Sequence, residues 1–103
     1  MSVFPIKVLY DFVENVEAPL QAGVTASSRH FKKAVQRNRV KRLLREAYRL
    51  QKPMLQNLLS TQPRSLVLFF IYIGKELPVF AEMHQKMGVI LQKLVDNILK
   101  QPD

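Results

Sequence analysis

The sequence predicts an α+β two-layer sandwich, a small mixed sheet covered by a central basic helix and a C-terminal helix. Three observations carry that expectation. Residues 6–13 alternate with period two, residues 34–51 and 78–99 carry apolar positions at helical spacing, and residues 66–73 are apolar throughout. A chain of 103 residues, 48% of them hydrophobic, suits one domain spanning 1–103 with a single core.

Ile6, Val8, Tyr10 and Phe12 alternate with Lys7, Leu9, Asp11 and Val13, a β-branched and aromatic pattern that predicts a strand. Residues 15–19 read as a turn, and 21–27 (QAGVTAS) as a second strand, antiparallel to the first. From Ala34 the period changes. Val40, Leu43, Leu44, Ala47, Leu50 and Met54 fall three or four residues apart and form an apolar stripe, while Arg37, Lys41, Arg45 and Arg49 repeat every fourth residue and are expected opposite it. Pro53 is expected to limit this helix, with 54–59 forming a second short one. The run LVLFFIYI at 66–73 has no polar side, which fits a central strand covered on both faces. After Gly74 and Pro78, the positions Phe80, Met83, Met87, Ile90, Leu91, Leu94, Val95 and Ile98 mark a closing amphipathic helix.

The charge is unevenly placed. Sixteen Lys and Arg against eight Asp and Glu give +8, which favours a polyanionic partner. Ten of those cations and a single acid, Glu46, lie between Arg29 and Lys52, so that window carries +9 and the remainder −1. Without cysteine the chain has no disulfide or thiolate metal site. The first fifteen residues lack the apolar core of a secretory signal, and the longest apolar run is eight residues, far short of the roughly 20 that cross a bilayer. A cytoplasmic protein without a membrane partner is expected.

Enzymatic signatures are missing. Gly23, Gly74 and Gly88 are scattered, with no phosphate loop. His30 and His84 read as surface residues, and Asp11, Glu14, Glu17, Glu76, Glu82 and Asp96 as solvated strand ends and helix faces. Ser27 and Ser28 read as the end of a strand or the cap of a turn. No metal or cofactor bound by the protein alone is expected.

Basic runs on helices are usually solvated faces, but those interleave glutamate at i±4 to relieve repulsion. Here the like charges stack with only Glu46 nearby, which points to phosphate as the relief. The mix is rich in arginine, whose planar fork suits phosphate and base edges, and Asn38 adds an amide that donates and accepts.

The stretch AVQRNRVKRLLREAYR at 34–49 closely resembles the bacterial ribonuclease P protein subunit, whose signature is an Arg-Asn-Arg helix followed by Lys-Arg and Arg-Glu. The order of expected elements agrees with that family from Phe4 to the closing helix. The resemblance implies a protein that binds the catalytic RNA of ribonuclease P and helps hold precursor tRNA while its 5′ leader is removed. The resemblance further implies that the RNA performs the hydrolysis and holds most of the magnesium, with no obligate protein partner expected. By position, Arg37, Asn38, Arg39, Lys41, Arg42 and Arg45 match the motif, with Lys33 and Arg49 extending the RNA-binding face. Tyr10, Thr25, Ser27 and Arg29 fall where the family lines a cleft for the single-stranded leader. Pattern alone leaves Tyr10 open between core and cleft. The resemblance also implies a left-handed βαβ crossover, against the usual hand. Residues 27–33 depart from the family's Ser-Lys-Lys and glycine before Ala-Val, and the chain starts almost at its first strand, without the family's opening helix.

Rival readings are a ribosomal or other basic RNA-binding protein, a DNA-binding helix-turn-helix protein and a stand-alone nuclease. No short partner helix precedes Ala34 and no catalytic constellation is present, so the last two are the weaker.

Overall fold

The computed structural model describes residues 1–14, 20–62 and 64–100, so the turn expected at 15–19 lies outside the described residues. They form β1 (Ser2–Val3), β2 (Ile6–Val13), β3 (Leu20–Ala26), α1 (Ala34–Leu59), β4 (Ser65–Tyr72) and α2 (Phe80–Lys100). The strands make one mixed sheet in the order β1-β2-β4-β3. The two-layer α+β sandwich is therefore as expected.

Strand pairing differs from expectation. β3 does not pair with β2; β4 lies between them, antiparallel to β2 and parallel to β3. The reason is the apolar content of β4, which suits the centre of a sheet better than the small, half-polar β3. A long helix between β3 and β4 also provides the return path that parallel neighbours need. Across the sheet, Ile6, Val8, Tyr10 and Phe12 share a face with Tyr72, Phe70, Leu68 and Leu66 and with Ala26, Val24, Ala22 and Leu20.

That face packs under the helices. Ile6, Val8, Leu66, Leu68, Phe70 and Tyr72 are buried there with Val40, Leu44, Ala47, Leu55 and Leu59 of α1 and Met83, Met87, Ile90, Leu91, Leu94 and Ile98 of α2. The expectation that β4 is covered on both faces is not met: Phe69 is 41% and Leu9 51% exposed on the other side. An unbroken apolar run reports that a strand is central; it does not require a second layer.

α1 runs unbroken through Pro53, where a stop and a second short helix were expected. The proline removes one N–H, leaving the Arg49 carbonyl without its usual partner. Pro53 is exposed, so water can reach that carbonyl, and beyond it Leu55 and Leu59 are buried. Packing of two leucines outweighs one missing hydrogen bond. The buried stripe is consequently Val40, Leu44, Ala47, Leu55 and Leu59, whereas the expected Leu50 and Met54 are 48% and 45% exposed.

Between Ala47 and Leu55, Gln51 faces α2. Its Nε2 donates to Ala47 O at 3.2 Å and to His84 O at 2.8 Å. Gly88 allows this approach, because a Cβ there would lie 2.6 Å from Gln51 Oε1.

Leu55→Ala should lower unfolding free energy by about 2–5 kcal/mol, the range for a buried leucine. Met54→Ala should change it by about 0.5 kcal/mol or less. Urea unfolding of the two variants checks which residue lies on the buried side after Pro53.

Candidate nucleic-acid interface

The cations of α1 do not form a single ridge opposite the core. Residues four apart drift around a helix by about 40° per step, so the row Arg37, Lys41, Arg45, Arg49 winds from the flank of the buried stripe to its far side. Arg37 and Lys41 are accordingly half-buried, while Arg45 and Arg49 are exposed. The outward surface is made instead by Asn38, Arg39, Arg42 and Arg45, all exposed, which with Val35 line a shallow depression of about 440 Å³.

Among the described residues the ion pair of this helix joins Arg49 to Glu46, with Arg49 Nε and Nη2 both donating to the carboxylate. The hydrogen bond from Arg49 holds the Glu46 carboxyl below its usual range and raises the guanidinium in turn. Arg49 thus has a local counter-charge. Arg39, Lys41, Arg42 and Arg45 have no carboxylate partner among the described residues, and the first turn of α1 contains no acid.

The approach to α1 is a compact basic loop, residues 27–33. Ser27 Oγ accepts the Arg29 N–H at 3.1 Å, and Ser27 O accepts the Phe31 N–H at 3.1 Å. Phe31 plugs the core beside Tyr72, with ring centroids 5.9 Å apart. Arg29, His30, Lys32 and Lys33 point outward. Arg37 turns back onto this loop: Nη1 donates to Phe31 O at 2.7 Å and to Lys32 O at 2.8 Å.

A separate cleft of about 490 Å³ opens between α1 and the edge strand β3, lined by Ala22, Val24, Arg45, Tyr48, Lys52, Gln56 and Phe69 among others. Gly23 lets the Phe69 ring lie against β3, since a Cβ there would stand 3.0 Å from Phe69 Cδ1. Tyr48 rests on Phe70 at 5.3 Å between ring centroids. The cleft combines aromatic surface with two cations, the pairing that takes single-stranded RNA by stacking and phosphate contact. Sequence reasoning missed Tyr48, Lys52, Gln56 and Phe69. The signal was available for three of them, because 45, 48, 52 and 56 run along one side of a helix at spacings of three and four.

The four expected leader residues are not brought together. Thr25 pairs with Ile71 across β3–β4 and faces away from the helices, and Ser27 and Arg29 follow it into the loop. Tyr10 is on the helix-facing side, half-buried against the core and edge-on to Phe12 at 6.5 Å. Leu68 separates it in register from Ala22, which lines the cleft.

Comparison with known proteins gives the family of the chain. A family described as Ribonuclease P matches residues 4–95. A ribonuclease P protein component of Porphyromonas gingivalis is 34% identical over 97 residues, covering 93% of this chain and 71% of that protein. Its counterpart in a second strain is 35% identical with the same coverage of 93% and 71%. The ribonuclease P protein component of Chlorobaculum tepidum is 32% identical over 89 residues, covering 81% of this chain and 58% of that protein. No solved structure matches the chain.

Burial pushes the Tyr48 phenol up to about 12 from 10.0. The folded state then holds this proton more tightly than the unfolded chain, so the resulting stability is present below pH 10 and is lost as pH rises through about 12. Tyr48→Phe should leave neutral-pH stability nearly unchanged and make the decline between pH 10 and 12 shallower. Urea midpoints of both proteins at several alkaline pH values measure the difference.

Proposed function

The chain belongs to the ribonuclease P protein family, and from that premise we propose that it binds the catalytic RNA of ribonuclease P and the 5′ leader of precursor tRNA. Its part in tRNA 5′ maturation is to hold the substrate for endonucleolytic cleavage by the RNA. The observation that carries this reading is the outward face of α1, where Asn38, Arg39, Arg42 and Arg45 stand exposed and, among the described residues, unopposed by carboxylate. Counterion release at such a face favours a polyphosphate partner independently of sequence, and the arginine forks and the Asn38 amide add geometry. Lys33, Lys41 and Arg49 extend the same basic surface.

For the leader we favour the cleft between α1 and β3. A strand with unstacked bases offers flat faces to Tyr48 on the helix side and, past the edge of β3, to Phe69 on the other side of the sheet, and its backbone passes within the field of Arg45 and Lys52. Thr25, Ser27 and Arg29, running from β3 into the basic loop, and Tyr10, separated from β3 by β4, are further leader contacts in this proposal that lie outside the cleft itself.

Chemistry is assigned to the RNA. We assign magnesium chiefly to the RNA; among the described residues no three His, Asp or Glu side chains gather as a metal-ligand set. The work of this chain is to bind, orient and neutralise phosphate. Among the described residues no helix is long and apolar enough to cross a membrane, and the cytoplasm is the compartment we assign.

Reconstitution with a cognate catalytic RNA tests the reading. The chain alone should leave precursor tRNA intact, and adding it to the RNA at low magnesium should increase leader removal. Binding to the RNA without any effect on cleavage would instead favour a general basic RNA-binding protein. Arg42→Gln combined with Arg45→Gln should weaken binding, reducing the log–log salt slope by roughly 0.7–0.9 for each phosphate that is no longer neutralised, while the unfolding midpoint stays near that of the parent. An unchanged slope would remove α1 from the interface.

A further inference from the structure

Arg37 matches the first arginine of the Arg-Asn-Arg motif, yet its surroundings differ from those of the other motif residues. Asn38 and Arg39 are exposed on α1, whereas Arg37 is half-buried and its Nη1 is shared between two backbone carbonyls, Phe31 O at 2.7 Å and Lys32 O at 2.8 Å. Both acceptors belong to the loop that carries Arg29, His30, Lys32 and Lys33 into solvent. We propose that residues 29–33 form a second phosphate-binding element beside the outward face of α1, and that Arg37 is a positioning residue that holds this element in shape.

The loop is tied at its start, middle and end by its own contacts, and Arg37 adds a side-chain tie across its second half. At its start Ser27 closes two turns, accepting Arg29 N–H on its hydroxyl and Phe31 N–H on its carbonyl, each at 3.1 Å. In its middle Phe31 is 3% exposed and packs on Tyr72. At its end Lys33 O accepts the Gln36 and Arg37 N–H groups at 3.1 and 3.2 Å, while the Lys33 side chain makes no cap. The Arg37 guanidinium adds a restraint on the Phe31 and Lys32 carbonyls from one turn inside the helix. It accounts for an otherwise costly choice, a cation turned inward beside three outward-facing loop cations, because carbonyl acceptors satisfy the guanidinium while Arg29, Lys32 and Lys33 keep their charge for an external anion. A loop already ordered loses less freedom when an RNA backbone docks on it.

This inference rests on the ribonuclease P reading, and a double-mutant cycle separates the two. Binding of the full chain to a cognate catalytic RNA is measured for the parent, Arg37→Gln, the loop triple variant Arg29→Gln/Lys32→Gln/Lys33→Gln, and all four changes together, with Arg42→Gln as a reference. Arg37→Gln is expected to weaken binding about fivefold in the parent and by less than about twofold once the loop cations are gone. Limited trypsin digestion of the free protein should cut after Arg29, Lys32 or Lys33 faster in Arg37→Gln than in the parent, at an unchanged unfolding midpoint.

Equal losses from Arg37→Gln in both backgrounds, with a lowered salt slope each time, would make Arg37 a direct phosphate ligand and overturn the proposal. So would a loop triple variant that binds like the parent. In either case a weakened Arg42→Gln would leave the ribonuclease P reading standing, whereas a parent chain that fails to bind the RNA would sink both.

Discussion

The burial of one side of α1 against the sheet and α2 is the constraint on which the rest of the molecule depends. Val40, Leu44 and Ala47 before Pro53, and Leu55 and Leu59 after it, are essentially inaccessible. Their packing fixes the rotation of the helix about its axis and so decides which cations face outward. A helix with this many like charges is poor in isolation, since each i,i+4 repulsion costs a few tenths of a kcal/mol. Burying a leucine contributes roughly 1.5–3 kcal/mol, so the core tolerates the repulsion with a wide margin. The stable fold and the unrelieved charge are two sides of the same element.

Consequences follow along the chain. With α1 anchored, Arg45 and Lys52 stand over the edge strand and a cleft remains where β3 presents Ala22 and Gly23 in place of bulky side chains. A larger residue at 23 would displace Phe69, and a larger one at 22 would fill the space beneath Tyr48 and Lys52. The same anchoring puts Gln51 against the Gly88 turn of α2, where two backbone carbonyls satisfy its amide inside the helix pair.

Local patterns in the sequence carried much of this. Period two at 6–13 coincides with β2, the start of α1 at Ala34 follows from the change of period, and α2 departs from expectation by a residue or two at its ends. The departures arise where a distant partner decides the outcome. Nothing near β3 reveals that β4 will be inserted beside it, and nothing near Pro53 reveals that Leu55 and Leu59 will find core to bury in. Counting every fourth residue also overstated the ridge: the drift of an i+4 row carries Arg37 to the flank, where loop carbonyls that only the folded structure supplies take its guanidinium. The basic character of α1 was legible in AVQRNRVKRLLREAYR, but the different surroundings of its arginines were not.

Because the chain has no cysteine, a single one can be placed to report which surface meets the RNA. Hydroxyl radicals generated from a tethered iron chelate at Val35→Cys, on the outward face of α1, and at Lys93→Cys, exposed on α2, map the nucleotides near each site in the complex with the catalytic RNA. With the outward face of α1 as the docking surface, strand cleavage is expected to be strong and localised from position 35 and slight from position 93. Localised cleavage from 93 with none from 35 would contradict it.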